Sequence, residues 1–341
     1  MVNRLTRCIG LAVLLSVANV APAEDFIIGA GATFPSTAYL RWANNYQMET
    51  GIRVYYNPTG SSDGVEQILH NTVEFGATDI PMTQEDLEKN GLIQFPSLVG
   101  GVVPVINLAG VAEGQLRLSG KVLADIFMGK IAKWNDARIA ADNNSVKLPD
   151  LEINVVHRID DSGLTRIFTS YLSQVSPEWK SGMGVGNTVP WKTGIGTHGS
   201  GGMASYVKSV SGSIGYLEYT YAMQDKINYA QLKNRDGSFV KPSEASFRAA
   251  SIGIESSKCF CEPMINKSGK EAWPITSATF ILVHKSADAK KVLEFFEWAY
   301  DKGDKRNLEA GYLHLPAETQ KKVFNICWDQ TPGIRFRMPW N

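Results

Sequence analysis

"FPSLVGGVVPVINLAG", residues 95–110, is a long run of apolar and small side chains in the first third of the chain. A second run of the same character, "WPITSATFILVHK" (273–285), lies near the other end. One apolar segment that leads out of a unit and one that leads back predict a first lobe built from both ends of the chain, with a second lobe inserted between them. We expect residues 24–104 and 276–341 in the first lobe, residues 105–275 in the second, and the two crossover segments as a hinge.

Segments typical of strands and helices alternate along the chain. "EDFIIGAG" (24–31) and "RVYYNPT" (53–59) predict strands that precede helices starting at about Pro35 and spanning 65–71, and "EFGATDI" (74–80) predicts a third strand. The first helix carries an apolar face formed by Tyr39, Trp42, Ala43 and Tyr46. This alternation predicts an α/β fold, with sheets wrapped by helices.

The first 23 residues have the pattern of a secretory signal peptide. "MVNRLTR" is basic, "CIGLAVLLSVANV" is apolar, and "APA" supplies the small residues of a cleavage site. The apolar run is too short to remain as a membrane-spanning helix. We therefore expect cleavage after Ala23 and a soluble, exported mature protein.

The mature chain is close to neutral. Removing Arg4 and Arg7 leaves 32 basic residues against 34 acidic ones, a net charge of −2 with neutral histidines. Without a basic excess or a basic tract, a nucleic-acid or anionic-membrane partner is not expected. Any anion that this protein binds must be held by local geometry.

Three cysteines follow the signal peptide: Cys259, Cys261 and Cys327. An oxidising compartment permits a disulfide between Cys327 and one of the other two, and free buried thiols are the alternative. Because no histidine stands at ligand spacing from these cysteines, we expect neither a metal site nor a cofactor.

Three turns that precede predicted helices combine hydroxyl side chains with glycines. They are "GAGATFP" (29–35), "GSSDG" (60–64) and "DDSGLT" (160–165). A helix N-terminus offers unpaired N–H groups and a partial positive charge, which favour a bound anion. One such turn is ordinarily a helix cap, but three of them in two interleaved lobes can converge on one cleft.

Two of these turns also match the motifs of other protein classes. "GAGATF" begins like a dinucleotide fingerprint but lacks its third glycine. "GSSDG" satisfies the G-x-S-x-G pattern, with Ser62 as a nucleophile and His198, His284 or His314 as a base. No HGGG-like loop precedes it, so a serine hydrolase is kept as the less favoured alternative.

The chain resembles the periplasmic phosphate-binding proteins that serve ATP-driven phosphate importers, the PstS family. The resemblance rests on seven segments in the family's order and spacing: "GAGATFP", "GSSDGVEQI", "NTVEFGATD", "FPSLVGGVVPVIN", "GKIAKWND", "SIGYLEYTYA" and "AWPITSATFIL". It implies a two-lobed type II periplasmic-binding-protein fold and a monomer that binds phosphate in the periplasm without catalysis. The membrane subunits of an ABC importer are the implied partner.

The resemblance also implies the residues that bind the anion. They come from both lobes and are Thr33, Phe34, Ser61, Asp79, Arg158, Ser162, Gly163 and Leu164. Asp160, Ser62 and Thr165 are expected to support them, Asp160 by pairing with the guanidinium of Arg158.

Asp79 gives a physical reason for choosing phosphate. Phosphate keeps at least one proton at neutral pH, whereas sulfate has the same shape and carries none. A buried, ionised Asp79 accepts a hydrogen bond from that proton but would meet sulfate with acceptor against acceptor. Sites of this kind reject the wrong ligand by several orders of magnitude.

The turn at 160–165 departs from the family pattern. The family usually has "DGSGT" where this chain has "DDSGL", so Asp161 replaces a glycine and Leu164 replaces a threonine. Leu164 lacks a hydroxyl donor worth about 1–3 kcal/mol next to a charged partner, and Thr165 is a candidate to compensate. Asp161 is interpreted as a solvated surface acid. These departures keep other oxyanions, such as arsenate, a phosphonate or sulfate, as alternative ligands.

Overall fold

The structure, a computed structural model, describes residues 26–253, 260, 264–286, 289–303, 312, 315 and 317–328. The predicted signal peptide and the side chains of Cys259, Cys261 and Cys327 lie outside the described part of the chain, so the cleavage site and the cysteine pairing stay predictions. Within that part, every helix is too short or too polar to cross a bilayer.

The described residues form twelve strands: β1 (Phe26–Gly31), β2 (Arg53–Asn57), β3 (Phe75–Thr78), β4 (Leu92–Ile106), β5 (Arg117–Leu118), β6 (Asn154–Arg158), β7 (Ile195–Thr197), β8 (Ser213–Glu218), β9 (Asn228–Tyr229), β10 (Gln231–Lys233), β11 (Phe239–Val240) and β12 (Thr276–His284). Their helices are α1 (Ser36–Thr50), α2 (Ser61–Leu69), α3 (Gln84–Lys89), α4 (Gly120–Phe127), α5 (Ala137–Ala140), α6 (Gly163–Val175), α7 (Pro177–Gly182), α8 (Gly199–Ser209), α9 (Tyr219–Gln224), α10 (Glu244–Ser251), α11 (Ala289–Trp298) and α12 (Ala317–Trp328). A π-helical turn, Ala299–Gly303, follows α11.

Most of these strands form one mixed sheet in the order β2-β1-β3-β12-β4-β8-β6-β7, and β9 pairs with the far end of β4. β1, β2 and β3 are mutually parallel, as are β6, β7 and β8, whereas β8 and β12 run antiparallel to β4. A small second sheet contains β5, β10 and β11. The expected α/β fold with mixed sheets and flanking helices is confirmed.

The long strand β4 joins the two sets of parallel strands. All 15 of its residues are buried, and it pairs with β12 over Leu92–Gly101 and then with β8 over Val102–Ile106. A typical strand has about 5–6 residues, so β4 is long enough to belong to both halves of the sheet. The apolar runs at 95–110 and 273–285 therefore contain neighbouring antiparallel strands. The lobe boundaries expected from them stay a prediction, which this arrangement supports.

The start of α2 differs from the sequence expectation. We expected this helix at 65–71, with Ser61 and Ser62 in the turn before it, whereas the helix begins at Ser61. Its N-cap is Gly60, at φ 122° and ψ 155°, a conformation that side-chain-bearing residues rarely adopt. The glycine therefore turns the chain into the helix four residues earlier than the apolar pattern indicates.

Aromatic packing fixes the loop between β1 and α1. The expected apolar face of α1 is buried, and the ring of Tyr39 lies 5.3 Å from that of Trp42 and 4.8 Å from that of Tyr56. The hydroxyl of Tyr56 donates to the carbonyl of Ala32 at 2.5 Å, and Tyr312 donates to the carbonyl of Phe34 at 2.6 Å. Two buried phenols thereby hold the backbone of this loop.

We predict that Gly64→Ala destabilises the fold by at least about 2 kcal/mol, at the upper part of the usual cost of overpacking. A Cβ at Gly64 would lie 2.5 Å from the Cα of Gly31 and 2.7 Å from the carbonyl oxygen of Ala77, both of which are backbone atoms. Urea unfolding in the absence of ligand measures the change.

Gly201→Ala is the control, because a Cβ at this helical position meets no heavy atom within 4 Å. It should be neutral or stabilising by up to about 1 kcal/mol. Equal stability of the two variants would contradict the close approach of α2 to β1.

Candidate functional site

The predicted site residues lie at the carboxyl ends of the two sets of parallel strands. On one side of the molecule the segments that follow β1, β2 and β3 carry Thr33, Ser61 and Asp79, respectively. On the other side Arg158 ends β6, and the next turn leads into α6. Carboxyl ends of parallel strands are where α/β folds ordinarily bind ligands, because helix N-termini begin there.

The turn before α6 is an N-terminal cap. The hydroxyl of Ser162 accepts a hydrogen bond from the N–H of Thr165 at 3.3 Å. Gly163 and Leu164 open the helix, so their N–H groups belong to the first turn and have no acceptor within the helix. The turn therefore presents backbone donors that are available to an anion.

Arg158 is fully buried and held by several partners. Its Nε donates to Oδ1 of Asp160 at 2.7 Å, its second nitrogen, Nη2, bonds to Oδ2 of the same carboxylate, and Nη1 donates to Oγ of Ser200 at 3.2 Å. The N–H of Gly199 also donates to Asp160 at 3.1 Å. Asp160 thus fixes the plane of the guanidinium, which confirms the expected pair.

This pair shifts the pKa values of both groups. Burial acts to lower the pKa of Arg158, but the hydrogen bond and the charge of Asp160 outweigh burial and raise it. Burial acts to raise the pKa of Asp160, but the hydrogen bonds from Arg158 and Gly199 and the charge of Arg158 outweigh burial and lower it. Both groups are therefore charged at neutral pH and largely neutralise each other.

Asp79 is a buried carboxyl group with hydroxyl partners. Oδ1 accepts from Thr279 at 2.6 Å and Oδ2 from Ser61 at 3.4 Å, while the N–H of Asp79 donates to Oγ of Ser61 at 3.1 Å. Burial raises its pKa to about 7, with a further contribution from Glu218, against the lowering effects of Thr279, Ser61 and Arg158. Asp79 consequently exchanges its proton near neutral pH rather than in acid.

The two sides of the molecule meet at Gly163. A Cβ placed on this glycine would lie 2.2 Å from Oγ of Ser61 and 3.2 Å from Cβ of Asp79. A Cβ on Gly60 would lie 2.8 Å from the carbonyl oxygen of Asp161. The turns singled out in the sequence therefore face each other across one closed cleft.

Sequence reasoning missed Ser200 and Glu218, which line the same cleft. Oγ of Ser200 lies 3.5 Å from Oγ1 of Thr33 and donates to Oε1 of Glu218 at 2.8 Å. Glu218 is completely buried, its Oε2 has no hydrogen-bond partner among the described residues, and burial raises its pKa. For Ser200 the signal was "HGSGG" (198–202), a fourth segment with serine and glycines, which opens helix α8.

Thr165, expected to support the site, and Leu164, expected to bind the anion, have side chains with other contacts. The hydroxyl of Thr165 is 2.8 Å from that of Tyr216, which in turn accepts the N–H of Arg158 at 3.2 Å. Leu164 is buried in the apolar core. The hydroxyl of Thr165 thus supports the strand of Arg158 instead of replacing a hydroxyl at position 164.

The geometry does not support a hydrolase that uses Ser62. Its hydroxyl donates to Asp161 at 2.9 Å and accepts from Asn187 at 2.6 Å. His284 is bonded to the carbonyl of Ile68 at 2.8 Å, and no histidine in the described ranges bonds to Ser62. His314 lies outside those ranges. Among the described residues, no three histidine, cysteine, aspartate or glutamate side chains lie together so that they could hold a metal ion.

Comparison with known proteins places this chain in a family. A model of the PBP superfamily domain matches residues 16–302. The phosphate-binding protein PstS of Pasteurella multocida is 46% identical over 323 residues, which cover 93% of this chain and 94% of that protein. The chain belongs to the PstS family. PstS of Haemophilus influenzae is also 46% identical, over 87% of this chain and 91% of its own length.

The fold of the PstS family agrees with the structure. The phosphate-binding protein from Stenotrophomonas maltophilia superposes with a TM-score of 0.68, covering 88% of this chain and 93% of that one, at 21% identity. The expected two-lobed type II periplasmic-binding-protein fold is confirmed.

We predict that Asp79→Asn changes how the stability of this PstS-family protein depends on pH. A buried carboxyl with a pKa of about 7 binds a proton more tightly than it does in the unfolded chain. The stabilisation of the folded state by this proton is therefore complete below about pH 4 and is lost as the pH rises to about 7. Between pH 5 and pH 8, the free energy of unfolding of the wild type should fall by roughly 2–3 kcal/mol more than that of the variant.

Urea unfolding in anion-free buffer at several pH values tests this. Asp136→Asn is the control, since the hydrogen bonds from Arg138 lower the pKa of Asp136 to about 2 and this carboxyl stays ionised throughout the range. Parallel curves for the wild type and Asp79→Asn would contradict the buried, proton-binding state of Asp79.

Proposed function

We propose that this protein binds inorganic phosphate in the cleft between its lobes and delivers it to an ABC-type phosphate importer. The close approach of Gly163 to Ser61 and Asp79 carries the proposal, because it brings donors from both lobes and a buried carboxyl group to one point. Relatives at 46% identity over most of the chain are phosphate-binding proteins, which supports the same ligand.

Backbone and hydroxyl donors hold the anion in this proposal. The starts of α1, α2 and α6 follow directly after the turns that carry the proposed ligands, and each helix start has a partial positive charge. The donors are assigned to Thr33, Phe34, Ser61, Ser162, Gly163 and Leu164, the last through its N–H group. Fixed dipoles of this kind bind an anion without a net positive charge.

Arg158 supplies the positive charge among the proposed ligands. Asp160 takes one N–H each from Nε and Nη2, and Ser200 takes one from Nη1. One N–H on Nη1 and one on Nη2 are therefore left for the ligand. Because Asp79, Asp160 and Glu218 surround one arginine, the site carries excess negative charge when all three are ionised. A ligand that brings a proton is therefore favoured over one that cannot.

Asp79 is the residue to which we assign the choice between phosphate and sulfate. With a pKa of about 7, it can share one proton with phosphate in either direction at neutral pH. Above pH 7 the ionised group repels sulfate, which has no proton to donate. Below pH 7 the protonated group can donate to sulfate, so selectivity should decrease.

The remaining roles follow from the proposed function. We place the mature protein in the periplasm after cleavage at Ala23, as a monomer that acts on its ligand by binding alone. The importer's membrane subunits would recognise the closed form, in which the lobes bury the ligand.

Titration calorimetry on phosphate-stripped protein tests the function. At pH 8 we expect one site that binds phosphate at least about a hundredfold more tightly than sulfate, as expected where a buried polar group is left unpaired. The sulfate affinity of the wild type should rise as the pH falls below 7, whereas Asp79→Asn should bind sulfate equally across the range. Equal affinity of the wild type for both anions would refute the assignment.

We predict that Gly163→Ala weakens phosphate binding roughly 10- to 100-fold, since the overlap with Ser61 in the closed form should cost about 1–3 kcal/mol. The substitution keeps the N–H donor, so a loss of affinity reports the closure of the cleft. Gly201→Ala, at the neighbouring helix start, is the matched control and should bind like the wild type. Unchanged affinity of Gly163→Ala would show that ligand binding does not need this contact.

A further inference from the structure

Asp161, interpreted from the sequence as a solvated surface acid, is exposed but bonds across the rim of the cleft. Its Oδ1 accepts from Oγ of Ser62 at 2.9 Å and from Nδ2 of Asn187 at 2.6 Å. Nδ2 of Asn187 is also 2.6 Å from Oγ of Ser62. We call these three residues the rim latch. Asp161 is exposed and its two partners are half-buried, so the rim latch lies at the edge of the site.

The rim latch connects elements from opposite sides of the cleft. Ser62 belongs to the first turn of α2, whereas Asp161 lies in the turn between β6 and α6. The carbonyl of Asn187 accepts the N–H of Ser162 at 3.3 Å, so Asn187 is tied to the turn of Asp161. Ser62 is therefore the member that would separate from the other two when the lobes open.

We infer from two observations that this contact belongs to the closed form. Ser62 follows Ser61, and Asp161 precedes Ser162 and Gly163, so the rim latch adjoins the point where the lobes touch. The backbone of Gly60 also packs against the carbonyl of Asp161, since a Cβ placed on Gly60 would lie 2.8 Å from that carbonyl oxygen. A hinge motion large enough to admit an anion would break the bonds of Ser62.

The charge of Asp161 has two opposing effects on a bound anion. A carboxylate near the cleft repels phosphate, but its charge is exposed to water and salt, which screen it. Hydrogen bonds to an ionised acceptor are stronger than those between neutral groups and act directly at 2.6–2.9 Å. The direct bonds should outweigh the screened repulsion.

We propose that Asp161 is an affinity-determining residue that acts on the closed conformation and not on the ligand. Together with Ser62 and Asn187, it stabilises closure and slows the release of phosphate. Because the bonds form after the lobes have met, the association rate is little affected. This inference rests on the proposed function for its kinetic test, and a second measurement makes it independent of the ligand.

Stopped-flow release of phosphate is the first measurement. Ser62→Ala and Asp161→Ala should each speed release by roughly 10- to 100-fold, the range for losing charge-assisted hydrogen bonds of this kind. Since both substitutions break the same contact, the double variant should release phosphate little faster than either single one.

Asp63→Asn is the matched control. Asp63 is an acid of the same helix turn, but it accepts from Gln67 within α2 at 2.6 Å and not across the cleft. Its release rate should stay within about twofold of the wild type, because removing a screened surface charge has a small effect. Slower release or tighter binding by Asp161→Ala would overturn the proposal and identify the residue as repulsive.

Small-angle X-ray scattering in anion-free buffer is the second measurement. The rim latch predicts a larger radius of gyration for Ser62→Ala than for the wild type, because fewer molecules are closed. If the wild type fails to bind phosphate, the proposed function fails, while this difference would still uphold the rim latch. Equal radii combined with equal release rates, or equal radii in a protein that does not bind phosphate, would overturn it.

Discussion

The α6 N-terminus can approach Ser61 and Asp79 because residue 163 has no side chain. A Cβ on residue 163 would lie 2.2 Å from the hydroxyl oxygen of Ser61, which comes from the other side of the cleft. The backbone donors of the α6 turn, the serine of α2 and the carboxyl that follows β3 depend on this approach to reach the one ligand that we propose. The fold supplies it by setting two groups of parallel strands with their carboxyl ends toward each other.

β4 makes this arrangement possible. It is a buried strand of both halves of the sheet, so the halves are joined through continuous backbone pairing with β12 and β8. The aromatic packing of α1 and the phenols of Tyr56 and Tyr312 then fix the first loop of the site. In the function that we propose, the cleft opens and closes by hinge motion about this common strand while each set of donors keeps its geometry.

The electrostatics of the cleft explain how a nearly neutral protein can hold an anion. Arg158 is largely neutralised by Asp160, and two further carboxyl groups, Asp79 and Glu218, have pKa values raised by burial. The site is thus poised to hold protons near neutral pH. Helix dipoles provide attraction for an anion, and the raised pKa values favour an anion that shares a proton.

The sequence by itself determined the α/β class, the crossover runs, the three Ser/Gly turns and the pairing of Arg158 with Asp160, because each is encoded within a few neighbouring residues. It also indicated Asp79, through the family resemblance. The tertiary structure decided which turns meet and the parts played by Ser200, Glu218 and Asp161. These depend on contacts between residues as far apart as Thr33 and Ser200, which no local pattern records. Burial, which raises the pKa of Asp79, likewise exists only once both lobes have packed around it.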